Sequence, residues 1–266
     1  LGRQAVLLDP SIPDAPLRAT SPFVAIASTA DGHGYWLARA DGGVEHFGDA
    51  ARLGQWFPIL LNRPIVGIAR TRDGGGYWLV ASDGGVFPFG DAAGYGSTGG
   101  IRLNQPVVGI AGTPDSRGYW IVCADGGIFP FGDAAGYGST GGIRLNRPIV
   151  GMAATRDGGG YWLVASDGGI FPFGDAGGFG STGGSALAMP VVGMAPAGDG
   201  SGYWLVAADG GVFPFSVPGF GSTGGVRLAR PMAGMAATPD DRGYWLLGAD
   251  GGIFPFGDAA GDGSGA

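Results

Sequence analysis

An all-β chain made of six copies of one short unit is the fold class this sequence predicts, and three observations carry it. The dipeptide Tyr-Trp recurs at Tyr35-Trp36, Tyr77-Trp78, Tyr119-Trp120, Tyr161-Trp162, Tyr203-Trp204 and Tyr244-Trp245, at offsets of 42, 42, 42, 42 and 41 residues. A fixed period of this length marks one supersecondary unit stacked on copies of itself. Short β-branched and aromatic runs alternate with turn chemistry such as Asp83-Gly84-Gly85, a strong hairpin signal. Glycine supplies 59 of 266 residues with no third-residue period, beside 11% aromatics, so it punctuates turns rather than building a fibrous helix.

The second copy shows how each element is justified. Ile65-Val66-Gly67-Ile68-Ala69 reads as a first strand, and Thr71 to Gly75 as its turn, with glycines able to take positive φ. The run from Gly76 to Ala81 is apolar at both parities, the pattern of a strand covered on both faces. Val86-Phe87-Pro88-Phe89 reads as a third strand and Gly94-Tyr95-Gly96-Ser97-Thr98 as a weaker fourth. Pro88 has no amide to donate, which places it at a bulge or with its nitrogen side unpaired.

Two-sided burial argues for sheets packed face to face about an axis, hence a six-bladed β-propeller of four-stranded antiparallel blades. Gly67/Ala69 and their counterparts, such as Gly109/Ala111, suit an innermost strand where blades converge. Two β-trefoils would need a seam at the midpoint, but the connector after the third copy nearly repeats the one before it. An open solenoid would need capped ends. The end copies depart from the pattern: Glu45-His46-Phe47 replaces Phe-Pro-Phe, Leu53 and Asp262 replace the outer tyrosine, and Trp56-Phe57 is inserted. The predicted domains are an N-terminal segment, 1–21, and the propeller, 22–266. The apolar run Ala5-Val6-Leu7-Leu8 is expected to add a strand to the last blade and close the ring.

Charge narrows the partners. All fifteen basic residues are arginine, the acids are aspartate apart from Glu45, and the net charge is −7, so no clustered positive charge is offered to nucleic acid or an anionic membrane. No apolar run approaches the roughly 20 residues that span a bilayer. Cys123 sits in the slot of Ala81, Ala165 and Ala207 and reads as a small buried hydrophobe.

The stretch from residue 76 to 92, Gly-Tyr-Trp-Leu-Val-Ala-Ser-Asp-Gly-Gly-Val-Phe-Pro-Phe-Gly-Asp-Ala, resembles tandem repeats in exported proteins of high-GC Gram-positive bacteria. The resemblance covers residues 22–266 and implies a secreted or cell-surface accessory module. It carries no catalytic residues over. Ser82-Asp83-Gly84-Gly85 also resembles the Asp-box hairpin of sialidase-like propellers, although the Thr-Trp ending of that box is missing; these aspartates read as turn formers.

No catalytic residues, cofactor or metal site are expected. Glu45 and His46 are adjacent on a strand and so face opposite ways, leaving a glycoside hydrolase or lyase as a minor alternative. Asp49, Asp91, Asp133, Asp175 and Asp258 follow Phe-Gly in five copies and read as Asx-turn residues rather than calcium ligands. The connectors are the binding candidates: Tyr95, Tyr137, Phe179 and Phe220 as aromatic platforms, Arg102, Arg144 and Arg227 with Asn104 and Asn146 as hydrogen-bonding groups, and Trp56 in the first connector. That mixture suits a glycan or cell-envelope polymer, and repetition adds avidity. The alternatives are a structural or protein-interaction scaffold, and packing of these aromatics and arginines between blades.

Overall fold

The computed structural model describes residues 21–54 and 61–265. Eighteen strands and no helix are present among them, so none of the described residues belongs to a helix that crosses a membrane. The first blade holds β1 (Phe23–Ser28), β2 (Gly34–Arg39) and β3 (Val44–Gly48). The second holds β4 (Ile65–Arg70), β5 (Gly76–Ala81) and β6 (Val86–Gly90), and the third β7 (Val107–Gly112), β8 (Gly118–Cys123) and β9 (Ile128–Gly132). The fourth holds β10 (Ile149–Ala154), β11 (Gly160–Ala165) and β12 (Ile170–Gly174), and the fifth β13 (Val191–Pro196), β14 (Tyr203–Ala207) and β15 (Val212–Phe215). The sixth is β16 (Met232–Ala237), β17 (Gly243–Gly248) and β18 (Ile253–Gly257). Each triplet is one antiparallel meander, and β1, β4, β7, β10, β13 and β16 touch in cyclic order around the axis.

The middle strand explains the core. Every residue of β5, β8, β11, β14 and β17 is buried, because neighbouring blades cover both faces of the sheet. Successive side chains point to opposite faces, so the tyrosine of each Tyr-Trp faces one neighbour and the tryptophan the other. Each tryptophan therefore meets the tyrosine of the following blade, at centroid distances of 6.0 Å (Trp36–Tyr77), 5.5 Å (Trp78–Tyr119), 5.8 Å (Trp120–Tyr161), 5.8 Å (Trp162–Tyr203) and 5.8 Å (Trp204–Tyr244). Trp245–Tyr35, at 5.7 Å, completes the belt.

The backbone closes the same circle. The register slips by one residue near the start of every inner strand, as between Ile65 and Gly67. Beside this bulge the first amide of the strand is donated to the preceding blade: Ile65 to Ala40, Val107 to Ser82, Ile149 to Ala124, Val191 to Ser166 and Met232 to Ala208. Phe23 to Ala249, at 3.0 Å, is the sixth member and joins first blade to last. The expected closing strand at Ala5 to Leu8 lies outside the described residues.

Among the described residues the blades have three strands, not the expected four, and Pro88 supplies much of the reason. Asp91 donates its amide to Gly75 and Ala81 to Gly85. Hydrogen-bonded pairs alternate along an antiparallel ladder, which turns the Pro88 nitrogen, like the other Phe-Pro-Phe prolines, toward the outer edge. A fourth strand would find no donor there. The segment 94–98 instead crosses to the next blade, with Gly96 at φ +124°, outside the extended range of a strand. Glycine is required at two nearby turns: a side chain on Gly84 (φ +85°) would collide with the Thr98 hydroxyl, and one on Gly90 (φ +64°) with the Gly75 carbonyl.

The last blade keeps its outer segment although Asp262 replaces the aromatic. Its contacts use backbone carbonyls, which the substitution leaves intact: Tyr35 donates its hydroxyl to Gly263 at 2.6 Å, and Gly265 donates its amide to Gly251 at 3.0 Å. Deleting residues 262–266 removes both bonds and uncovers Phe23, which is 1% exposed. At about 1 kcal/mol per hydrogen bond plus the lost apolar cover, the expected fall in Tm is about 5–10 °C. An unchanged thermal melt would show that this latch is not part of closure.

Candidate functional site

The aromatic residues expected to present platforms are placed between blades. Tyr95, Tyr137, Phe179 and Phe220 are half-buried and lie 5.8, 5.8, 5.7 and 5.7 Å from Tyr119, Tyr161, Tyr203 and Tyr244 of the following blade. The polar groups of Tyr95 also reach the following blade: its amide donates to the Tyr119 oxygen at 3.2 Å and its hydroxyl to Ser116 at 3.0 Å. Tyr137 repeats the pattern, its hydroxyl donating to Gly158 at 2.8 Å.

The polar candidates are placed differently. Arg102, Arg144, Arg227, Asn104 and Asn146 are exposed on the connectors. Trp56 lies outside the described residues. Beside three of these groups stand apolar residues that the sequence reading did not single out, Ile101, Ile143 and Val226, exposed at 58%, 63% and 60%. Their signal was present in the text of the repeat, as an apolar residue between Gly-Gly and arginine in the second, third and fifth connectors.

Grooves run between these connectors and the hairpin that joins second and third strands. One of about 300 Å³ is bordered by Asp125, Ile143, Asn146 and Arg147; another of about 430 Å³, one blade further on, by Arg147, Asp167, Leu187 and Met189. They share one face of the ring, because the outer segment folds back there: Thr98 donates its amide to Gly84, and Thr140 to Gly126. The hairpin aspartates on this face serve the turns. Asp41, Asp83, Asp125, Asp167, Asp209 and Asp250 each accept the amide two residues on, at 3.0–3.1 Å.

The sixfold sameness breaks most in the first blade. A cleft of about 420 Å³ opens there, lined by Trp36, Glu45, His46, Leu53 and Tyr77 among others. Leu53 stands where the second and third blades carry a tyrosine that fills the same interblade space. Glu45 is held by Arg39, whose Nη2 donates to it at 2.6 Å while the guanidinium lies 3.9 Å above the Phe23 ring. A carboxylate so engaged is a packing and charge-pairing group, and the other acid lining the cleft, Asp41, accepts the Gly43 amide at 3.0 Å in its own turn.

The opposite face carries carboxylates in pairs. Asp73 and Asp91, Asp115 and Asp133, Asp157 and Asp175, and Asp240 and Asp258 lie within hydrogen-bonding reach of each other. The Gly75 amide and then the Thr71 hydroxyl hold Asp73 below the usual carboxylate range, whereas burial and then Asp240 raise Asp258. In the fifth blade Ser216-Val217 replaces the second aspartate, and Ala197 replaces the threonine.

Neither a protein-family model nor a curated protein matches the chain. Among solved structures it is similar to the β-propeller domain of Myceliophteria thermophila Cps50 (Swd1), with a TM-score of 0.55 and 11% identity over 90% of this chain and 98% of that one. At that identity the likeness shows the fold alone. The described residues form a β-propeller of six three-stranded blades.

Proposed function

We propose that this ring is a non-enzymatic recognition module that engages a carboxylate-bearing glycan or cell-envelope polymer through the connector face. The observation that carries the reading is the threefold station of an exposed β-branched residue followed by an exposed arginine, at Ile101-Arg102, Ile143-Arg144 and Val226-Arg227. Guanidinium groups meet carboxylates with two parallel hydrogen bonds, and Asn104 and Asn146 add amides for hydroxyls. Rigid repetition of weak stations favours a polymer over its monomer. With the aromatic rings occupied between blades, recognition rests on arginine, asparagine and the apolar neighbour rather than on ring stacking. An exported setting belongs to the same proposal and is supported by the resemblance of the repeat.

Replacing Arg102, Arg144 and Arg227 together by alanine is expected to weaken binding of a polyuronate at least about 100-fold in titration calorimetry, with Tm unchanged. The parent chain should bind the polymer far more tightly than the monouronate. Equal affinity for both, or a triple variant that binds as the parent does, would refute the reading. A second reading, a scaffold for another protein, is favoured by Ile101, Ile143 and Val226, since apolar residues beside arginine are typical of protein interfaces. It predicts that aspartate at those three positions abolishes partner or self-association in light scattering.

A further inference from the structure

The geometry points to a divalent-cation site of the zinc class at Asp31, His33 and Asp49, on the face opposite the connectors. One ligand atom from each of the three lies within 4.8 Å of the others. His33 and Asp31 come from the turn between β1 and β2, and Asp49 follows the end of β3. The ion would therefore join the two ends of the first blade's outer hairpin.

The His33–Asp31 spacing is compatible with a shared ion. His33 Nδ1 and Asp31 Oδ2 are 3.4 Å apart. Two donors each about 2.1 Å from one tetrahedral ion stand about 3.4 Å from each other. The other oxygen of Asp31 is already engaged, accepting the Thr29 hydroxyl at 2.9 Å and the His33 amide at 3.2 Å. That leaves Oδ2 oriented toward the histidine by neighbours that would serve as its outer support. Both side chains are open to solvent, at 76% and 56% exposure, so water can complete the coordination.

The other blades act as internal controls. Four of them carry the same carboxylate pair, but the position of His33 holds Gly75, Arg117, Gly159, Ser201 and Arg242 in the remaining five. In the third and sixth blades that arginine turns its Nε toward the pair, 3.7 Å from Asp115 and 4.0 Å from Asp240. A positive group thus stands beside two adjoining acids wherever a long side chain is available. In the first blade the residue at that position is histidine, which offers a nitrogen ligand instead of a fixed charge. A nitrogen donor with two carboxylates selects zinc over the oxygen-loving magnesium and calcium.

Titration calorimetry of the full chain with zinc chloride tests this. One ion per chain is expected to bind with saturation below about 100 µM, raising Tm. His33→Ala and Asp49→Asn should each weaken uptake at least about 10-fold. His33→Arg, which copies the third and sixth blades, should abolish uptake while leaving the metal-free Tm unchanged, and His46→Ala should bind as the parent does. No saturable uptake up to about 1 mM, or uptake that survives His33→Arg, would overturn the assignment, as would displacement of zinc by equimolar calcium.

Discussion

Trp120→Ala is expected to destabilise the ring by about 3–5 kcal/mol and to lower Tm by roughly 8–15 °C. Trp120 is 1% exposed, sits 5.8 Å from Tyr161 of the next blade, and donates its indole N–H to Ala135 at 2.7 Å. Alanine leaves three deficits at once. A large cavity opens between two blades, an aromatic pair worth about 0.5–1.5 kcal/mol beyond its area is lost, and the Ala135 carbonyl loses its donor. Tyr161→Phe isolates the smaller share: it keeps the ring in place and removes the hydroxyl, which donates to Gly138 at 2.5 Å and accepts the Tyr137 amide at 3.2 Å, for about 2 kcal/mol. A calorimetric melt of the two variants side by side is the measurement. Equal, small losses would mean that the aromatic belt is not what holds neighbouring blades together.

The belt also explains why the fold was legible. Tyr-Trp at a fixed period, followed by a hairpin signal, reports both the number of blades and the strand buried on two sides, because the same two rings make the interface on either flank. The fourth strand was misread because Gly94-Tyr95-Gly96-Ser97-Thr98 alternates small and aromatic residues as a strand does. Its partners are specified elsewhere, by the proline that removes donors from the neighbouring edge and by a tyrosine of the following blade. The outer aromatics carried two readings in the repeat, platform or packing, and only the neighbouring blade separates them, as where the Tyr95 hydroxyl donates to Ser116.

Contact between the first and last described blades has a consequence for stability. A stack of repeats gains one interface per added unit, and a ring gains one more, here Trp245 with Tyr35 and Phe23 with Ala249. Each blade is then held from both sides. A defect in one interface is therefore felt by the whole circle, and the variants above should melt in one transition instead of shedding a single blade.

Base should open that circle between pH 10 and 12. In an unfolded chain a tyrosine hydroxyl loses its proton near pH 10. Burial pushes Tyr35 and Tyr77 up to about 12 and moves Tyr119, Tyr161, Tyr203 and Tyr244 the same way. Below pH 10 both states keep the proton, and these groups give stability its full, pH-independent share. As pH rises toward 12 the unfolded chain ionises first, so that share is lost. A shift of that size corresponds to roughly 3 kcal/mol for Tyr35 or Tyr77, and six such groups lie in one belt. A phenolate also cannot donate, so ionisation breaks the bonds to Gly96, Gly138, Gly180, Gly221 and Gly263 that bring each outer segment onto the next blade. Phenolate absorbance and far-UV dichroism should therefore change together in one steep step above pH 10. A gradual ionisation of all the tyrosines with the sheet signal intact would contradict their burial.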